Sequence, residues 1–441
     1  MQIFALILFS AAFMAANLGA AELAAVVTKP AVNVHAQPSF DSPTTATLQR
    51  DTEVKISAQQ GLWYQLNLPA DVSGFVRVND VRMTYASVED GEANLRVLMG
   101  GKAGKGHVTE TAGVRGIDES DLKAAALDGA QLDLLIGYRV DGAAAANYAR
   151  TQGWEATSVV YTDEAQVDGN ESAGPGAAST AALAKSVGGL LGSFGVNVGS
   201  LVDKAAEAIP KSEDELAAEE LALGPEIAGR ILGARPLWND VDAQHRVNLV
   251  GRWVADQSSR PELPWTFGVI DTPEVNAFAA PGGFVLITRG LYELLSSDSE
   301  LAAALAHEIS HDVQRDHYNV IHKQELATTV KDLALQNVDT GGESIASSYA
   351  RRYAEENGAT VMLTALDRDA EFRADEAAEF YLARSGMNPL ALYAVLQKLT
   401  ALGSESASLA QLYKSHPPLD ARIDHIDERG YGVLETYTAR D

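Results

Sequence analysis

Five residues, His307 to His311, constrain this chain more than any other feature. His307, Glu308 and His311 form an HExxH pattern inside the run SDSELAAALAHEISHDVQRDH. Its apolar residues Leu301, Ala304, Leu305 and Ile309 recur at helical spacing, so the run predicts a long helix, with Ser299 and Glu300 suited to its first turn. Residues four apart share one helix face, so both histidines can point at one metal ion. Glu308 projects beside that ion, where it can take a proton from bound water. Two histidines and a glutamate are costly to bury among apolar neighbours without a shared ligand. The pattern therefore predicts a buried metal site rather than an exposed polar face. Zinc doing this chemistry takes three protein ligands and keeps one open position, so a third ligand must come from elsewhere.

The segment Leu366 to Leu382, LDRDAEFRADEAAEFYL, is helical in pattern and strongly acidic. Glu371 and Asp375 are four residues apart and share a face. That spacing suits a metal carboxylate followed by an acid that hydrogen-bonds a ligand histidine. Glu376 and Glu379 are local competitors for the ligand role, and a solvated acidic helix face is the alternative. With three ligands supplied, His317 and His322, which follow on the same helix and its extension, are read as surface residues.

Composition narrows the partners. The formal net charge of -26 over 441 residues argues against a nucleic-acid partner, because polyanions repel it. The chain has no cysteine, which excludes disulfides, thiolate zinc sites, a cysteine nucleophile and a cysteine-linked lipid anchor. Residues 1–21 read as a cleaved export signal, apolar from Ile3 to about Ala16 and then small up to Ala20 and Ala21. An uncleaved membrane anchor is the alternative. The expected location is therefore periplasmic or secreted, with no transmembrane segment in the mature chain; the run from Ala181 to Val198 carries Lys185 and several glycines and reads as soluble.

The length implies more than one core. Residues 25–86 show short period-2 segments separated by turn residues, which predicts a small β-barrel. Residues 87–165 mix patterns: SDLKAAALDGAQLDLLIG reads as helix and WEATSVVYT as strand. Residues 166–222 are a Gly/Ala/Ser-rich linker followed by a solvated acidic helix start. Residues 223–430 carry the metal pattern, with WTFGVID and GGFVLIT as strands and helices elsewhere. The expected fold class is α+β and multidomain, a mainly helical metal domain with a small β-sheet behind a small barrel. The stretch from Tyr318 to Leu366 reads as either a lid over the cleft or a helical hairpin.

Two resemblances carry these readings further. Val32-Asn33-Val34, Gly61, Trp63, Tyr64 and Gly74-Phe75-Val76 resemble a bacterial SH3 domain, with His35 and Gln37 where Arg and Gly are usual. That resemblance implies binding of cell-wall peptides or glycans such as peptidoglycan, or a spacer or intramolecular regulatory role. Four ordered blocks resemble the HtpX-like, CAAX prenyl protease-type gluzincin zinc metallopeptidases. They are Asn276 to Leu295, ELAAALAHEISHD, the EFRAD segment, and SHPPLDARI from Ser415 to Ile423. The resemblance implies one Zn2+ held by His307, His311 and Glu371, with Glu308 as general base and Asp375 supporting a ligand. It further implies that Phe278 to Thr288 is a strand at the active-site edge, with Asn276, Phe278, Gly282 and Gly283 meeting a peptide or protein substrate. His416 falls near the metal, as an oxyanion stabiliser or as a latch on the open coordination site, and Arg422 can assist the oxyanion or pair with an acid.

The reading is an exported zinc metalloendopeptidase acting on unfolded or extended proteins, in the manner of envelope quality control. Its rivals are a zinc-stabilised chaperone or assembly factor with latent proteolysis, and a cell-wall-binding protein with an accessory peptidase domain.

Overall fold

The computed structural model describes residues 22–68, 72–84, 94, 97–98, 117–164, 212–322, 357, 359–403 and 406–440. The expected export signal, most of the Gly/Ala/Ser-rich linker and the centre of the Tyr318 to Leu366 stretch lie outside these residues. No helix among the described residues is long and apolar enough to cross a membrane.

The N-terminal strands β1 (Leu23–Val27), β2 (Ala31–His35), β3 (Thr44–Gln49), β4 (Glu53–Gln60), β5 (Trp63–Leu68), β6 (Val72–Arg77) and β7 (Val81–Met83) form one antiparallel sheet. Their order is β3-β2-β6-β5-β4-β1-β7. Alternate residues such as Val32, Val34, Val54 and Ile56 turn inward. Register shifts at Val34/His35 and between Ile56 and Ala58 let the sheet bend. Gly74 is required where β6 meets β2, since a Cβ there would stand 2.5 Å from the Val34 side chain.

The middle region is helical: α1 (Glu119–Ala124), α2 (Gly129–Gly137) and α3 (Gly142–Thr151). The single helix expected over the first two is broken at 125–128, where the Asp128 carboxylate caps α2 by accepting from Gln131 N at 3.0 Å. The segment WEATSVVYT forms no strand. Thr157 donates its amide and hydroxyl to the carbonyls of Arg384 and Ala383, so a helix C-terminus takes the place of a strand partner.

Helix α4 (Glu213–Ala234) runs without a break past residue 222. Ser212 and Glu215 form its capping box. Its acidic start is only partly solvated: Glu220 is fully buried, accepting from Arg260 through both oxygens (2.8 and 2.7 Å) and from Arg315 Nε at 3.0 Å. Beyond it come α5 (Val241–Ala255), β8 (Thr266–Ile270), β9 (Ala277–Ala280), β10 (Phe284–Thr288), α6 (Arg289–Leu294), α7 (Asp298–Val313), α8 (Arg368–Arg384), α9 (Leu390–Ala401), α10 (Leu412–Ser415) and α11 (Leu419–Arg429).

Strand β10 is central, parallel to β8 and antiparallel to β9. The one strand expected from Phe278 to Thr288 is thus two, joined by a turn in which Gly282 and Gly283 hold φ of 82° and 90°. Both faces of this sheet are covered. Val285 and Ile287 pack into the core with α5 and α7, and Phe284 and Leu286 pack with α4 on the other side. Two-sided burial accounts for the near-continuous apolar run. Helix α7 begins at Asp298 and is capped by Ser297, with Ser299 and Glu300 in its first turn as expected.

The N-terminal sheet is seated on the helical domain, and the hydrophobic core runs through both. Gln397 on α9 is fully buried; its amide donates to the carbonyls of Val78 (2.9 Å) and Val81 (3.0 Å) and accepts from Met83 N (3.1 Å). Arg82 reaches Asp420, Asp424 and Asp427 along one face of α11. Gln59 donates to Glu300 in the first turn of α7 at 3.0 Å, and Glu300 also accepts from buried Lys398 at 2.7 Å. Gln397→Ala strands three buried backbone groups and is expected to cost about 2–3 kcal/mol; chemical denaturation with a wild-type control measures it, and a loss well under 1 kcal/mol would mean that water replaces the amide.

Candidate metal centre

Helix α7 can bury its whole length because alanines at 302, 303, 304 and 306 let neighbouring elements approach closely. Its two histidines lie one turn apart with rings 4.8 Å between centroids and nearly perpendicular. The Nε2 atoms face each other at 3.3 Å. Helix α8 packs across α7 and is capped by Asp367, which places Glu371 in its first turn. Glu371 Oε2 stands 3.5 Å from His307 Nε2, and Oε1 stands 3.7 Å from His311 Nε2. His416 arrives from the short connection between α10 and α11, with Nε2 3.9 Å from Glu371 Oε2. One atom from each of His307, His311, Glu371 and His416 lies within 4.8 Å of all the others.

The Nδ1 side of each ligand-facing ring is held. His307 Nδ1 lies 3.0 Å from Asp375 Oδ1, and Arg422 Nε donates to Asp375 Oδ2 at 2.9 Å. His311 Nδ1 lies 2.8 Å from Asp316 Oδ2, and His416 Nδ1 lies 2.9 Å from Ser415 Oγ. For His307 and His311 the carboxylates accept from an N–H at Nδ1, which leaves the Nε2 lone pairs turned inward.

Glu371 decides whether this donor set fits a metal. It is 0 % exposed, and neither carboxylate oxygen has a hydrogen-bond partner. A buried, unpaired carboxylate among imidazole nitrogens is satisfied by a cation. The titration behaviour agrees. Burial pushes Glu371 up, yet His416, His307 and His311 together hold it well below the usual carboxylate range. Burial and Arg422 push His307 down, but Asp375 and Glu371 outweigh them and raise it to about 9. Asp375 is likewise held low against its burial, chiefly by Arg422 and then by His307. The centre calls for positive charge.

The remaining candidates fall into place around it. Glu308 lines a pocket with Ala277, Phe278, His317, Glu371 and His416. Phe278 is on β9, the edge strand of the small sheet. Asn276 is buried with its backbone engaged by Thr288, and it is not on the pocket wall. Gly282 and Gly283 are also away from the pocket. They pack against Glu220 and Trp265, and Gly283 N donates to Asp312. Glu376 and Glu379 pair with Arg429 instead of the centre.

The sequence reading missed Asp316 and misplaced His317. Both were hidden because α7 was extended too far. The helix stops at Val313, Arg315 adopts φ 58°, and the chain re-enters a helical turn at 316. Arg315 is held there by Glu213 and Glu220. The bend returns Asp316 to His311 and buries His317 on the pocket wall.

Residues 242–430 match peptidase family M48, and residues 30–81 match the bacterial SH3 domain. The helical domain that holds the metal-binding cluster is thus similar to peptidase family M48. It is similar to the beta-barrel assembly-enhancing protease of Escherichia coli strain K12, at 26% identity over 206 residues, which are 46% of this chain and 42% of that protein. The mitochondrial metalloendopeptidase OMA1 of Schizosaccharomyces pombe is 26% identical over 171 residues, 39% of this chain and 48% of that protein. Protease HtpX of Pseudomonas fluorescens is 32% identical over 37% of this chain and 65% of its own length. The match thus spans less than half the length of the first two. In this chain a region similar to M48 metalloproteases follows an SH3-like sheet.

The Asp316 carboxylate at His311 yields a direct test. Asp316→Ala is expected to weaken binding of a divalent metal about 10- to 100-fold, the scale for losing a partner that orients a ligand histidine. Competition with a chromophoric chelator measures this, and unchanged affinity would remove Asp316 from the metal centre.

Proposed function

We propose that this protein is an exported, M48-type zinc-dependent endopeptidase that cleaves unfolded or extended proteins, in the manner of envelope quality control. One observation carries the reading: an unpaired buried carboxylate and three imidazole nitrogens converge beside Glu308, in a pocket walled by an edge strand. His307, His311 and Glu371 would hold one Zn2+ per chain. When bound, the ion supplies Lewis acidity at the scissile carbonyl. Glu308 takes the proton of the attacking water and passes it to the leaving nitrogen. An extended peptide would add beside strand β9, which is terminal in the small sheet, with Phe278 near the reacting group. Export rests on the apolar N-terminal segment, and action on other proteins rests on the kinship with proteases whose match covers only part of them.

His416 gives the resting protein its character. With its Nε2 in the donor cluster, His416 would be a fourth protein ligand to a bound ion and would compete with the attacking water for the open position. Burial pushes His416 down to about 4, which keeps its ring neutral and able to ligate. We therefore read His416 as a latch, with substrate or a partner displacing it. A chaperone whose latch never lifts is the competing reading.

Glu308→Gln is expected to retain one zinc and the native fold while losing hydrolysis of casein; undiminished turnover would sink the mechanism. His416→Ala is expected to raise basal hydrolysis of a short quenched peptide several-fold. A fall in turnover in that assay would exclude a purely inhibitory latch.

A further inference from the structure

His317 is a buried imidazole on the pocket wall that the mechanism above does not use. It is 8 % exposed and shares the pocket with Glu308, Glu371 and His416. Its ring lies 6.0 Å from that of His311, at 74°, and it is not part of the four-donor cluster. Its Nδ1 is buried without a hydrogen-bond partner. Buried polar groups normally find partners, so one left without is a candidate for a group that arrives later.

Peptide hydrolysis creates a demand at this place. As the water oxygen bonds to the carbonyl carbon, the carbonyl π pair moves onto oxygen, and that charge needs a preorganised donor. The other polar side chains near the pocket are engaged elsewhere. Arg422 directs Nε and Nη2 at Asp375. His416 is held by Ser415 at Nδ1 and faces Glu371 through Nε2, and the Ser415 hydroxyl lies within reach of the Gln411 carbonyl. Thr364, also on the wall, is exposed. An imidazole carries at least one N–H in either charge state.

We propose that His317 is a further catalytic residue, donating its imidazole N–H to the scissile carbonyl oxygen and to the oxyanion that forms there. It keeps its proton throughout. Glu308 carries the water proton to the amine nitrogen as the C–N bond breaks and the oxygen's electron pair re-forms the carbonyl. The positive φ at Arg315 makes this possible, because the chain turns there and His317, two residues on, reaches the pocket wall.

The inference rests on the peptidase reading, and its test separates the two. Zinc-loaded His317→Ala and His317→Gln are compared with the wild type for zinc content, peptide hydrolysis and affinity for a phosphinic peptide, whose charged tetrahedral centre mimics the oxyanion. His317→Ala is expected to keep one zinc and a KM within about twofold, and to lower kcat about 100-fold or more. The phosphinic peptide should lose affinity by a similar factor, and His317→Gln, which restores an N–H, should recover part of both. Unchanged kcat, loss of zinc in both variants, or a kcat defect with unchanged phosphinic affinity would each overturn the role. If the wild type cleaves no peptide, the peptidase reading fails, and the phosphinic affinities still decide the fate of His317.

Discussion

A single buried carboxylate sets the terms for this molecule. Glu371 has no exposure and no hydrogen-bond partner, and it faces three imidazoles. In a low-dielectric interior such an arrangement persists only with positive charge at its centre. The surrounding elements are built to meet that requirement. Helix α7 supplies two rings one turn apart, α8 supplies the carboxylate, and the connection into α11 supplies a third ring. Each comes from a separate part of the chain, so the centre also ties the helical domain together.

The outer layer shows how the inner one is oriented. Asp375 accepts from Arg422 and meets His307, while Asp316 meets His311. These acids fix which ring nitrogen carries the proton. Arg422 belongs to α11, whose opposite face carries Asp420, Asp424 and Asp427, the partners of Arg82. One helix therefore connects the SH3-like sheet to the back of the metal centre.

Much of this was legible because the chemistry is local. Two histidines four residues apart need only a helix to meet, and Glu371 with Asp375 need only another. The SH3-like strands announced themselves by alternation, and the α+β class followed from the same patterns. What escaped depends on tertiary context. The positive φ of Arg315 is stabilised by Glu213 and Glu220, about a hundred residues away in sequence, so no local signal ended α7 at Val313. The same distance hid Glu220, which looked like one more solvated acid. WEATSVVYT had strand-like residues but found a helix end instead of a partner strand. Gly282 and Gly283 belong to a conspicuous block, yet their positive φ serves a turn away from the pocket.

The seating of the SH3-like sheet changes how reach must be understood. A recognition module on a slack tether lets its enzyme sweep a volume, and selects substrates by raising their local concentration. Here the buried hydrogen bonds of Gln397, the surface ion pairs of Arg82 and a shared core fix the joint. A partner bound to the sheet would be held at one separation and one angle from the cleft. The geometry is that of a caliper: it would sort by where along a bound partner an extended segment emerges, as well as by what that segment contains.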